Sequence, residues 1–104
     1  MVYQINLTDD FLEEFEETCE YISYNLNALN ASEKLRERVI DKIYSLRKQP
    51  RMYTHINKLS KTKNIYRRII VNNYIILYMI DETKKVVYIA HIYYGGRNYI
   101  EDLL

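Results

Sequence analysis

Residues 64–81 read NIYRRIIVNNYIILYMID, and this stretch decides the fold. Two runs rich in β-branched and aromatic side chains, Asn64–Val71 and Tyr74–Asp81, flank the dipeptide Asn72-Asn73. Asparagine tolerates positive φ, so the pair predicts a tight two-residue turn between antiparallel strands. Downstream, Asp81–Lys84 reads as a second turn and Lys85–Tyr93 as a third strand, which Gly95-Gly96 breaks. Upstream the period changes from two to nearly four. Phe11, Phe15, Cys19, Ile22 and Leu26 recur at helical spacing, with Thr8 placed to cap a helix over residues 9–27. Asp9, Asp10, Glu13 and Glu14 sit where the helix dipole favours negative charge. Leu35, Val39, Ile43 and Leu46 stripe a second helix, for which Asn30 and Glu33 have capping-box spacing and Pro50 marks the end. Val2–Leu7 reads as a short strand before the first helix.

The order is thus strand, two-helix antiparallel hairpin, then a three-stranded antiparallel meander: an α+β fold with the helices on one face of a four-stranded sheet. A length of 104 residues fits one domain, 1–104, and 48% apolar residues supply its core. With 2 Gly and 1 Pro the chain is no linker or collagen-like protein. No run approaches the roughly 18 apolar residues of a membrane span, so no membrane partner is expected. The acidic start, MVYQINLTDDFLEEFEE, does not read as a leader peptide. The lone Cys19 falls on the buried helical stripe and cannot staple the fold, which suits a reducing, cytoplasmic setting.

Charge is segregated along the chain. Residues 1–33 carry −8, residues 34–74 carry +10, and residues 75–104 carry −1. Nine basic residues and no acidic one lie between Asp41 and Asp81. Such a one-signed segment attracts polyanions or an acidic partner, or it neutralises the acidic first helix. Two histidines, His55 and His91, with one buried-stripe cysteine give no metal-binding spacing. Gly95 and Gly96 are the only glycines, so no phosphate-cradling loop is present and no cofactor is expected.

Strand alternation sends Arg67 and Arg68 to opposite faces, so at most one shares the helix-packed face. The other joins Lys58, Lys61 and Lys63, and a guanidinium fork is the side chain best matched to phosphate. A rim arginine that discourages edge pairing is the plainer reading. Tyrosines crowd the C-terminal half; most must fill the core, and Tyr93, Tyr94 and Tyr99 around the glycine pair are expected to be the exposed ones.

This layout, the segment YRRIIVNNYIILYMID and the closing IAHIYYGGRNYIEDLL resemble the RelE/ParE superfamily of bacterial toxins. The resemblance runs over almost the whole chain. It implies the toxin half of a type II toxin–antitoxin module, neutralised by a cognate antitoxin. RelE-like members cut mRNA on the ribosome, using basic residues around the scissile phosphate and a tyrosine or histidine for proton transfer. ParE-like members inhibit DNA gyrase. Carried over by residue, Arg68 falls near a phosphate-holding position and Arg97 matches the arginine after the last strand. The arginine often found after the hairpin tyrosine is replaced by Ile75, and the region of the catalytic tyrosine reads Ile100–Leu104. Tyr94 or His91, with Tyr99 as a further substitute, would have to serve as the acid–base group of a ribonuclease. For target or nucleic-acid binding the candidates are Lys58, Lys61, Lys63, Arg67, Tyr93 and Tyr99. Loss of one positioned cation would cost such a nuclease on the order of 10²–10³ in rate. The expectation therefore leans to gyrase, with mRNA cleavage or an inactive partner-binding module as alternatives.

Overall fold

The computed structural model describes residues 2–53 and 65–95. The chain runs β1 (Gln4–Leu7), α1 (Asp9–Glu20), a π-helical turn (Tyr21–Asn25), α2 (Leu29–Ser45), β2 (Arg67–Val71), β3 (Tyr74–Asp81) and β4 (Val86–Tyr94). The four strands form one sheet in the order β1-β4-β3-β2. The meander is antiparallel as expected, whereas β1 lies parallel to β4, from Gln4 beside Val86 to Leu7 beside Ile89. The helical hairpin supplies the crossover that parallel neighbours require.

Both helices cover one face of the sheet. Phe11, Phe15 and Cys19 of α1, Ile22 of the π turn, and Leu35, Val39 and Ile43 of α2 meet Ile69, Val71, Ile76, Tyr78, Val87, Ile89 and Ile92. Where α1 crosses α2 the close contact is polar: the buried Ser32 hydroxyl donates to the Cys19 carbonyl at 3.0 Å. Burial raises the Cys19 thiol pKa, so the group stays neutral in the core. The opposite sheet face has its own cluster of Tyr66, Ile75, Leu77, Ala90 and Tyr93.

The local surprises have physical causes. The first helix does not run regularly to residue 27, because the Leu26 amide bonds back to the Tyr21 carbonyl, five residues away, at 3.2 Å. That wider turn breaks the stripe: Ile22 still enters the core but Leu26 is 56% exposed. Asn27 then takes a left-handed φ of 49°, a conformation asparagine accepts readily, and ends the segment. Asn30 is not a cap: α2 begins one residue earlier, at Leu29, with Ala28 at the cap position and no side-chain bond there. β1 and β2 start later than their apolar runs suggest, at Gln4 and Arg67.

The Asn72-Asn73 turn forms as read, with Asn72 at φ 54°. Arg38 of α2 holds it by donating to the Asn72 Oδ1 at 2.7 Å. Gly95 closes β4 against the same turn, its amide 2.6 Å from the Asn73 carbonyl. A Cβ at Gly95 would meet that oxygen at 2.9 Å, so the approach needs glycine.

Two core residues give direct tests. Leu35 is 1% exposed, and Leu35→Ala is expected to cost about 2–5 kcal/mol in urea unfolding. The Tyr78 hydroxyl, fully buried, donates to the Pro50 carbonyl at 2.7 Å, and burial pushes its pKa from 10.0 up to about 12. The fold thus favours the neutral phenol. Between pH 10.0 and about 12 the unfolded chain loses this proton while the folded chain keeps it, so stability falls as pH rises through that window. Tyr78→Phe is expected to cost about 1 kcal/mol at neutral pH and to flatten the alkaline decline in a pH series of urea melts.

Candidate functional site

The site is built at the β4 edge where β1 stops. β4 carries one extra residue between its pairings with Leu77 and Tyr78: Leu77 faces His91, but Tyr78 faces Ile89, leaving Ala90 as a bulge. A one-residue insertion reverses which side chains point to which face. Val87 and Ile89 face the helices before the bulge; after it Ile92 does, and His91 turns to the other face. There its ring stacks on Tyr93, with centroids 5.2 Å apart and planes 14° from parallel.

The start of α1 locks this bulge. The Thr8 hydroxyl accepts from the Phe11 amide and lies 2.9 and 3.0 Å from the Ile89 and Ala90 carbonyls, to which it donates. One and a half turns later, Glu14 reaches the strand edge. Its Oε1 accepts from the Ile92 amide at 3.0 Å, and its Oε2 lies 3.1 Å from the His91 Nδ1. A carboxylate at Nδ1 orients the ring and favours the tautomer with its proton there, leaving Nε2 as the acceptor.

Across the sheet, Arg68, Leu77 and His91 form one row on the same face. Two inter-strand spacings place the Arg68 and His91 backbones about 10 Å apart. Arg68 is exposed and His91 half-buried, with the fully buried Leu77 between them. Arg67 goes the other way, as alternation requires. Its guanidinium donates to the Tyr53 carbonyl at 2.7 Å and the Arg51 carbonyl at 3.4 Å, holding the chain that follows α2. Tyr94 is exposed as expected and meets Tyr74 edge-on at 5.7 Å. Tyr93 is not exposed: at 5% accessibility it belongs to the second-face cluster, because the bulge sets its phase. Lys58, Lys61, Lys63, Arg97 and Tyr99 lie outside the described residues.

Glu14 and Thr8 were not among the sequence candidates. Thr8 is legible as a cap, but nothing in the spacing of Glu14 reveals a bond to a strand nearly eighty residues away. Burial also raises the Tyr74 hydroxyl pKa, with Tyr94 adding to the effect, so it remains a neutral donor.

Residues 5–99 match the family model described as the ParE toxin of the type II toxin–antitoxin system, parDE. The chain belongs to the ParE toxin family. Among curated proteins, none matches by overall sequence. Its fold is that of solved RelE toxins. Free Escherichia coli RelE carrying two arginine-to-alanine substitutions superposes with a TM-score of 0.68 at 14% identity, covering 98% of this chain and 93% of that one. The toxin in the archaeal RelE–RelB complex of Pyrococcus horikoshii OT3 gives 0.64 at 14% identity, over 93% and 99% of the two chains. The RelBE2 toxin–antitoxin complex of Mycobacterium tuberculosis gives 0.59 at 18% identity, over 90% and 99%. Among the described residues of this family member, no helix is long and apolar enough to cross a membrane.

The Glu14 bridge is the testable element of the site. Glu14→Ala leaves the Ile92 amide and the His91 Nδ1 without their acceptor and is expected to cost about 1–3 kcal/mol. Glu14→Gln, whose amide oxygen can still accept from Ile92, is expected to lose clearly less in the same thermal melts.

Proposed function

We propose that this chain is a growth-inhibiting cytoplasmic toxin that acts on DNA gyrase by binding and is neutralised by a co-expressed antitoxin. The ParE family match supports the module, and the solved toxin–antitoxin complexes of its structural relatives support the antitoxin. The observation that favours gyrase over mRNA is the use of the two strand arginines. Arg67 is committed to the backbone carbonyls of residues 51 and 53, on the helix side of the sheet. Only Arg68 of the pair faces the other side, on the β2 edge with the exposed Ile70 two residues further on and the exposed Ile65 before the strand. A ribonuclease of this kind stabilises a pentacovalent phosphate with several converging cations. One arginine set among exposed isoleucines is better matched to a protein surface, where apolar and arginine side chains contribute to binding. Arg97 and Tyr99 complete the proposed contact on the grounds of the family resemblance.

A second reading draws on the Glu14–His91 pair. A carboxylate-oriented imidazole in a row with Arg68 has the parts of an acid–base group beside a phosphate ligand. In that reading the target is ribosome-bound mRNA, with Arg68, Arg97 and His91 or Tyr94 in the catalytic roles and Lys58, Lys61 and Lys63 holding the strand.

Pulse-labelling within minutes of inducing the chain without antitoxin separates the two. DNA synthesis is expected to fail first, and purified chain is expected to inhibit gyrase supercoiling without cutting ribosome-bound mRNA. Early failure of protein synthesis, with cleavage that His91→Ala and Arg68→Ala abolish, would establish the ribonuclease instead.

A further inference from the structure

Because β1 pairs with β4 only as far as Ile89, the last five residues of β4 have no strand on the side away from β3 among the described residues. In place of a strand there is a groove of about 810 Å³ between the α1–π-turn segment and the β4 end. Ile22 and Ile92 line it as buried residues, while Tyr21, Leu26 and Tyr94 line it at 53%, 56% and 57% exposure. In the same 21–29 stretch Tyr24 and Leu29 are exposed as well. The wider π turn is what turns Leu26 outward beside Tyr21. A concentration of large apolar side chains around a concave surface marks an interaction site.

Its charge has one sign. The ionisable side chains lining it, apart from tyrosines, are Glu14 and Glu17, and no Lys or Arg joins them among the described residues. Glu14 is held by His91 and Ile92, whereas Glu17 is exposed with no ion-pair partner among the described residues. The bond from Glu14 also fills the Ile92 edge amide, so recognition rests on side chains in the groove rather than on a strand added at that point.

We propose that this groove receives a peptide segment whose apolar side chains sit between Tyr21 and Tyr94 and whose Lys or Arg meets Glu17. Resting on the toxin–antitoxin reading above, the segment is assigned to the antitoxin. An acidic segment would set its carboxylates against Glu14 and Glu17 without a compensating cation. The groove is thus separate in chemistry from the basic stretch between Asp41 and Asp81, to which an acidic partner region is suited.

The test uses the full chain with its co-encoded antitoxin and two exposed-site variants, Tyr21→Ala and Glu17→Lys. Affinity measured by calorimetry is expected to fall roughly tenfold or more in each, as for loss of a central anchor. Both variants should still arrest growth, now without full rescue by antitoxin, and a Lys or Arg to Glu change in the antitoxin segment should restore binding to Glu17→Lys. Unchanged affinity in both variants would overturn the proposal. Weakening by Tyr21→Ala with no effect of Glu17→Lys would overturn the basic character of the segment. A homodimer that dissociates in Tyr21→Ala would give the groove to a second copy of this chain. Absence of growth arrest by the parent chain would remove the toxin reading, yet the calorimetric comparison would still judge the groove.

Discussion

A single hydroxyl, that of Thr8, accepts the Phe11 amide at the first turn of α1 and donates to the Ile89 and Ala90 carbonyls of β4. Three elements therefore have to agree at one point: the end of β1, the start of α1 and the bulge in β4. The bulge sets the phase of everything after it, putting Ile92 in the core and His91 on the other face. The helix start fixes the depth at which Glu14 meets the strand edge. Without that tie, neither the imidazole–carboxylate pair nor the groove beside it would have a fixed geometry.

What could be read from the residues was whatever local pattern controls. The Asn72-Asn73 turn, the Thr8 cap, the Leu35–Val39–Ile43–Leu46 stripe and the opposite placement of Arg67 and Arg68 follow from turn chemistry and periodicity, and the structure has each of them. The errors lie where a nonlocal or subtle register choice wins. The π turn needs one bond to skip a residue, and nothing in YISYN announces it. The Ala90 bulge is likewise silent in VVYIAHIYY, and nearness to the glycine pair does not reveal that Tyr93 is buried in the second-face cluster. At the site, His91 and Arg68 were legible as chemistry-bearing residues, but Glu14 was not. Its role depends on contacts across most of the chain rather than on its neighbours in sequence.

Charge segregation in the sequence becomes spatial division in the fold. Much of the acidic surplus rides on α1, where Glu16 pairs with Arg36 of α2 at 3.0 Å, so part of the plain reading, neutralisation between segments, holds. That hydrogen bond also raises the Arg36 pKa further. The guanidinium lies over the Phe15 ring as well, 5.2 Å from its centroid, and joins the two helices at their surface. A second junction forms around Glu82, which accepts from the Tyr3 hydroxyl at 2.8 Å and pairs with Arg51. This ties the β3–β4 turn to β1 and to the chain leaving α2. Exposed ion pairs of this kind contribute little individually, roughly 0–1 kcal/mol. Their effect here is to fix which segments lie side by side.

The parallel pairing of β1 with β4 has a consequence in time. Gln4 and its partner Val86 are separated by most of the chain, while the helical hairpin and the β2–β3 turn close over short distances. At a synthesis rate of about 5–20 residues per second, β1 waits roughly 4–16 s before its partner exists. During that interval Thr8 has no β4 carbonyl to reach and Glu14 no strand amide. The helices can form early, but the edge that carries His91 is assembled last. A member of a toxin family thus passes through most of its own translation before the strand that meets Thr8 and Glu14 exists.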